Sequence, residues 1–358
     1  MNRENNQHPL LTKESPWSNN ENPIWLGSTL QIHRNYEKFN FPGKLPPEKR
    51  KQIISVINQG LMKSQQLKNP KMIPAETLSP QEKEFLVEHF LSNQGFHQAS
   101  SGEAFILDET SEFLAVINLK DHIFLEFIDV KEELENSWER LVKLESEIAQ
   151  SANFAFSQKF GFLTSDPGKC GTAFIVTIFL HLPALIFAAK LEDIIRKNKE
   201  DGALHTGLQG DPTEVIGDIA AFHNTYTIGV TEENILSSLR TLGTKLVVEE
   251  KGMRKFYKQA SEVETAGLKD KVSRAYAILL HSYQIDAIEA LQAISLLKLG
   301  LDLDWIKGTT HAVLNHLLFA CRRAHLMCQH KDNISYELLP HKRSEFIHKV
   351  LQGLTLLI

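Results

Sequence analysis

Cysteine is scarce: 358 residues hold only Cys170, Cys321 and Cys328, too few and too scattered for a disulfide framework or a zinc-binding pattern. An excess of positive charge is missing as well. Lys and Arg number 39 against 44 Asp and Glu, a formal net charge of −5, which leaves a nucleic-acid binder without its basic face. No apolar run reaches the ~20 residues that cross a bilayer. The longest, Phe174 to Ala189, has 16 and contains His181 and Pro183. The N-terminus is polar and has no signal-peptide core. These absences lead to the expectation of a cytoplasmic protein without membrane or nucleic-acid contacts, of about two domains at roughly 100–200 residues each.

The elements that are present read as an α+β chain. Residues 1–22, rich in Asn, Glu and Ser, are expected to be disordered. Pro46-Pro47-Glu48 opens a helical pattern through Met62, with Ile53, Ile54, Ile57 and Leu61 on one side. A second helix is predicted after Ser79-Pro80. Ala104–Leu107, Phe113–Asn118 and Ile123–Ile128 are short β-type runs between polar turns, expected to pair antiparallel. Val130 to Ala152 and Thr231 to Lys258 carry amphipathic helical patterns, and Asp218 to Gly229 reads as a further strand. Past Gly267 the pattern is helical throughout. The expected division is 23–258 for a mixed domain and 259–358 for an all-helical one.

One stretch, Ser165 to Leu185 (SDPGKCGTAFIVTIFLHLPAL), combines two signals. Asp166-Pro167-Gly168 and Gly171 are turn chemistry. The apolar run that follows, Phe174 to Ala189, is predicted to be a helix buried on most sides. A Gly-containing loop entering a helix is one way to hold an anion.

Read with three other segments, this stretch resembles the bacterial protein-arginine kinases of the phosphagen (ATP:guanido) kinase superfamily. It is similar to their C-P-T-N-x-G-T-G-x-R-A segment, followed by H-L-P-A-L, which His181 to Leu185 match letter for letter. GSTLQIHRNYEKFNFP from Gly27 resembles S-S-R-I-R-L-A-R-N ending in F-P. NLKDHIF from Asn118 resembles N-E-E-D-H-L-R, and TGLQGDPTEVIGDIAAFHN from Thr206 resembles R-G-x-Y-G-E-G-S-E-A-x-G-N-I-F-Q-I-S-N. Ser273 to Leu303 is similar to a run of the same family's helical C-terminal domain. The implied fold is a phosphagen-kinase-like antiparallel sheet flanked by helices, followed by that helical domain.

The resemblance implies a phosphoryl-transfer site built from arginine forks, which match phosphate geometry. Its five nucleotide-binding arginines fall on Thr29, Gln31, Phe124, Ile175 and Thr206, none of them basic. Arg34 aligns with a further arginine of the first segment. The glutamate that orients the guanidinium and accepts its proton falls on Lys120, beside Asp121 and His122, and the active-site cysteine falls on Asp166. The frame persists at Asn118, Pro167, Gly171, Thr172, Gly207, Gly210, Glu214, Gly217 and Asn224.

The expectation is therefore a pseudokinase that needs no cofactor and acts as a scaffold or adaptor. By resemblance its protein partners are a small zinc-containing activator and the Clp-type ATPase and protease machinery. A homodimer stays open. Two alternatives stand beside it. One is an active kinase using ATP and Mg through a site rewired around Lys120, Lys169 and Asp166. The other is a phosphoarginine-binding module at Arg343, where only Arg343 persists of the family's charged motif, against a plain solvated basic helix end at His341-Lys342-Arg343. Asp121-His122 is read first as a structural hydrogen-bonded pair, His181 as a satisfied core histidine and Cys170 as a small buried residue.

Overall fold

The structure, a computed structural model, describes residues 15–92, 94–197, 202–208, 215–329 and 334–358. Its strands are β1 (Trp25–Arg34), β2 (Lys71–Pro74), β3 (Ala104–Leu107), β4 (Phe113–Ile117), β5 (Ile123–Asp129), the hairpin β6 (Phe156–Ser157) and β7 (Gly161–Phe162), β8 (Phe174–His181), β9 (Ala203–Gly207), β10 (Ile219–Asn224) and, as a small antiparallel pair that interrupts the helical C-terminal region, β11 (Ile306–Lys307) and β12 (Thr355–Leu356). The helices are α1 (Pro47–Leu61), α2 (Pro80–Phe90), α3 (Leu134–Ala149), α4 (Pro183–Phe187), α5 (Leu191–Lys197), α6 (Glu232–Gln259), α7 (Glu262–His281), α8 (Ala287–Asp302), α9 (His311–Ala320), α10 (Arg323–Gln329) and α11 (Leu339–Val350). Eight strands form one antiparallel sheet in the order β2-β3-β4-β5-β1-β8-β10-β9.

Local chemistry places several of these ends. Pro47 starts α1 at the first helical position, where its missing N–H costs nothing. Ser79 and Glu82 form a reciprocal capping box at α2, and Ser261 and Glu264 form another at α7.

The sheet is covered on both faces. On one, Leu30, Ile32, Val176 and Ile178 pack against α1, α3 and α6 through Ile57, Leu144 and Leu242. Gly243 lets α6 press onto the sheet: a Cβ there would stand 2.5 Å from the Trp25 ring. On the other face, Val116, Phe124 and Phe179 join a core with Phe85 and Phe90 of α2 and with residues of α8 and α9.

A buried polar cluster ties α6 and α8 to the end of β8. Glu250 accepts from the N–H groups of Ala184 and Leu185 at 3.1 and 2.9 Å and pairs with Arg254 Nε at 2.7 Å. Arg254 donates to His181 O at 3.1 Å and pairs with Asp302. His181 is fully buried, its Nε2 2.8 Å from Ser295 Oγ, which matches its reading as a satisfied core histidine.

Two expectations are corrected. Phe174 to His181 is a central strand, with only Pro183–Phe187 helical after it. A continuous apolar run suits a strand buried on both faces as well as a buried helix, and here β-branched Ile175, Val176, Thr177 and Ile178 go to the sheet. The second correction concerns the N-terminal segment, whose residues 1–14 lie outside the described residues. Pro16, Trp17 and Asn20 are packed rather than disordered. Trp17 is buried, stacks on Phe319 at 3.9 Å and donates from Nε1 to His89 O at 3.0 Å. Asn315 Nδ2 donates to the carbonyls of Asn20 and Asn22 at 2.7 and 3.1 Å. One aromatic ring and two bound carbonyls offset the ordering cost of a polar segment.

Trp17→Ala should lower unfolding free energy by about 3–5 kcal/mol, the range for emptying a large aromatic site. Urea unfolding monitored by circular dichroism measures it. A midpoint equal to that of the unsubstituted protein would show that this segment contributes nothing.

Candidate functional site

Alternation along β1 puts Thr29, Gln31 and His33 on one face of the sheet. Register carries that face outward. Thr29 lies opposite Ile128 and Thr177, Gln31 opposite Glu126 and Ile175, and His33 opposite Phe124. His223 pairs with Thr177, and Thr206 pairs with Ala221 two residues before His223 on the same face. Thr29, Gln31, Phe124, Ile175 and Thr206, drawn from four strands, therefore all share one face. A cavity of about 760 Å³ opens over it, lined by Gln31, Ile175 and Thr206, by Glu84 and Glu88 of α2, by Arg322 and by the Asp166–Lys169 turn. Thr29 and Phe124 are buried beside the cavity rather than lining it.

The floor of this cavity is uncharged. Gln31 Nε2 donates to Glu126 Oε1 at 2.8 Å. Burial pushes the Glu126 carboxyl up to about 8, against smaller opposing effects from Gln31 and Ser92, so it is neutral at pH 7. Cations stand only toward the edges. Arg322 donates to Glu88 O at 2.9 Å. Burial, and next the nearby Lys120, hold the Lys169 ammonium below its ordinary range.

Arg34 is not part of this face. Adjacent to His33 on β1, it points to the opposite side, where Nε meets Glu145 Oε1 at 2.6 Å and Nη1 donates to the carbonyls of His33 and Thr172. Its guanidinium also lies 3.6 Å over the Phe162 ring. Strand alternation is the physical reason: a residue one step from the site faces away from it.

At the end of the cleft, Asp121 accepts from Asn35 Nδ2 and from Ser165 N–H, both at 2.7 Å, and sits 3.0 Å from His33 Nδ1. Burial raises its carboxyl, but His33, Asn35 and the Ser165 N–H outweigh that and hold it below the usual range. His122 Nδ1 accepts from Tyr36 N–H at 3.0 Å and its Nε2 lies 2.8 Å from Asn40 O. Both side chains brace strand ends and loops, each through its own partners rather than through a bond to the other. Lys120 is exposed. Asp166 is exposed too, its Oδ1 accepting from Gly168 N–H at 3.0 Å. Gly171 holds the turn against its neighbour: its φ is +107°, and a Cβ would fall 2.0 Å from Thr227 O.

Far from this cleft, Arg343 is buried and donates to Cys321 O and Ile285 O at 2.8 Å each. It is neither solvated nor free for a ligand on those two donors. Cys170 is half-buried, its Sγ 3.6 Å from Thr164 Oγ1. Gly210 and Glu214 lie outside the described residues. Sequence reasoning missed Glu126, Glu88 and Arg322. Glu126 left a signal, a lone charge inside the apolar run IFLEFID; the other two become neighbours of the sheet only through the docking of α2 and α10.

Residues 52–253 match the model of the ATP:guanido phosphotransferase C-terminal catalytic domain, and residues 265–356 match that of the protein-arginine kinase McsB C-terminal domain. A protein-arginine kinase of Chlamydia pneumoniae is 34% identical over 96% of this chain and 95% of its own. The chain belongs to the protein-arginine kinase family. Another relative in this family, from Geobacillus stearothermophilus, is 32% identical over 86% of this chain and 85% of its own. Among solved structures, the substrate-free duplicated taurocyamine kinase of Schistosoma mansoni superposes with a TM-score of 0.56 at 22% identity, covering 72% of this chain and 38% of that one. Lombricine kinase gives 0.56 at 18% identity, covering 70% and 74%. These structures establish the phosphagen-kinase fold for this family member. Among the described residues no helix is long and apolar enough to cross a membrane.

Glu126 makes stability depend on pH. Its folded value, about 8, lies above the ordinary carboxylate value, so between roughly pH 4.5 and 8 the unfolded chain has lost a proton that the native state keeps. Stability should fall across that window by about 1.4 kcal/mol per pH unit from this group. Glu126→Gln should flatten the slope, read from urea midpoints at stepped pH. Parallel profiles for the two proteins would contradict a neutral buried carboxyl.

Proposed function

We propose that this member of the protein-arginine kinase family is a pseudokinase, a scaffold or adaptor acting in the cytoplasm through protein contacts. The observation that carries this reading is the joint placement of Thr29, Gln31, Phe124, Ile175 and Thr206 on one sheet face, where the family pattern has five arginines. Each charge-assisted hydrogen bond to a phosphate contributes about 1.5–3 kcal/mol, and five positions lack one together. Phe124 and Ile175 add a desolvation cost for any phosphate beside them. Mg-ATP held in the family manner does not fit these residues. Lys120 stands at the position of the proton-accepting glutamate and places a like charge where a guanidinium would need an anion.

By family membership the partners would be a zinc-containing activator and a Clp-type ATPase with its protease. The second reading, a kinase rewired through Lys120, Lys169 and Asp166, has one observation in its favour: Lys169 and Arg322 both line the cavity. Two cations at its edges do not replace five forks converging from its floor. A phosphoarginine reader at Arg343 is disfavoured by the two carbonyls that occupy its guanidinium.

Isothermal titration of Mg-ATP into the purified protein, with a phosphoarginine assay on a protein substrate, is the test. No heat at millimolar nucleotide and no arginine phosphorylation are expected. Micromolar binding that disappears in Lys169→Ala, together with phosphoarginine formation, would replace the pseudokinase reading with the rewired kinase.

A further inference from the structure

Beside the cleft, on the side where the family pattern orients its guanidinium, lies a second concavity of about 600 Å³ that the nucleotide argument leaves unused. Its walls are Phe39, Phe41, Leu119, the Asn40 and Gly43 backbone region and Ser165, and its only charged lining residues are Lys44 and Lys120. Both lysines are exposed, and neither forms an ion pair among the described residues. The apolar wall is anchored: Phe39 meets the His122 ring edge-on at 6.1 Å, and Lys49 Nζ stands 5.6 Å over its face, adding a third cation at the rim. Phe41 is 41% exposed, a large ring left in water beside two unpaired ammonium groups.

Neither of the two nearest motif carboxylates lines this groove. Asp121 is buried with its oxygens facing Asn35, Ser165 N–H and His33, and Asp166 lines the larger cavity instead. The groove therefore offers aromatic surface and positive charge within a protein whose net charge is negative.

We infer that this groove binds an acidic peptide segment of a partner protein, carboxylates on Lys44 and Lys120 and an apolar side chain against Phe39 and Phe41. This rests on the pseudokinase reading, and it names the chemistry of the partner: where a kinase of this family would receive a cationic guanidinium, this chain receives an anion. Charge complementarity of this kind selects the partner and speeds its encounter, and an aromatic wall supplies the apolar contact that an exposed ion pair lacks.

The test is fluorescence anisotropy with a fluorescein-labelled acidic-aromatic peptide, DEFDEFDE, against the same peptide with Lys in place of each acid. The acidic peptide should bind and weaken as salt rises. Lys44→Glu combined with Lys120→Glu should reduce its affinity by roughly tenfold or more, while Lys44→Arg with Lys120→Arg should retain it. Thermal midpoints of both variants confirm that these surface changes leave the fold intact. Absence of binding, equal binding by the charge-reversed variant, or equal binding of the basic peptide would overturn the inference. The phosphoarginine assay on the same preparation separates the two claims: arginine phosphorylation sinks the pseudokinase reading whatever the peptide does, and an inactive protein that ignores the acidic peptide sinks only the groove.

Discussion

Ten residues of β1, Trp25 to Arg34, lie hydrogen-bonded between β5 and β8 with none of them exposed. Because both neighbours are antiparallel and both faces are covered, the strand has a single acceptable register, and a slip by one residue would exchange its two faces. That constraint decides which side chains meet. Leu30 and Ile32 go to the helical layer, Thr29 and Gln31 to the cleft, and Arg34 to Glu145 on the far side. The separation of Arg34 from the cleft follows from the same alternation that gathers the five family positions on one face.

What fills that face is a polar but neutral floor. Burial beside Gln31 favours the neutral form of Glu126, and a neutral carboxyl is compatible with apolar neighbours such as Phe124 and Ile175. Five arginines on this surface would need anions to be held there, and in their absence the polar groups pair with each other. The packing that holds this phosphagen-kinase fold together lies largely away from that face. The Glu250–Arg254–Asp302 cluster and the capping of α10 by Glu88 hold the helical part in place through groups away from the cavity floor.

Helices with end signals were legible in the chain: Pro47 for α1, the Ser79–Glu82 box for α2, and the amphipathic stripe that became α3. The three short strands before α3 were legible from composition and turns. Residues 174–181 were not, because a run apolar on every side has no period to distinguish a central strand from a buried helix. Trp17 was not, because a polar segment around one aromatic carries no sign of the distant surface that will receive it.

The positions that align with the family motifs were read one by one from the chain, since motif neighbours such as Asn118, Gly171 and the HLPAL run locate each of them without any coordinates. Their identities alone determined that Thr29, Gln31, Phe124, Ile175 and Thr206, the positions aligned with the family's arginines, carry no cation and that position 120 is a lysine. Only the tertiary structure decided that five positions from four segments lie on one face, that Arg34 and Arg343 are spent on internal partners, and that Lys44 joins Lys120 over an aromatic wall. The physical reason is that side-chain chemistry belongs to single residues, whereas shared faces and shared cavities depend on strand register and helix docking, which arise from contacts between residues far apart in sequence.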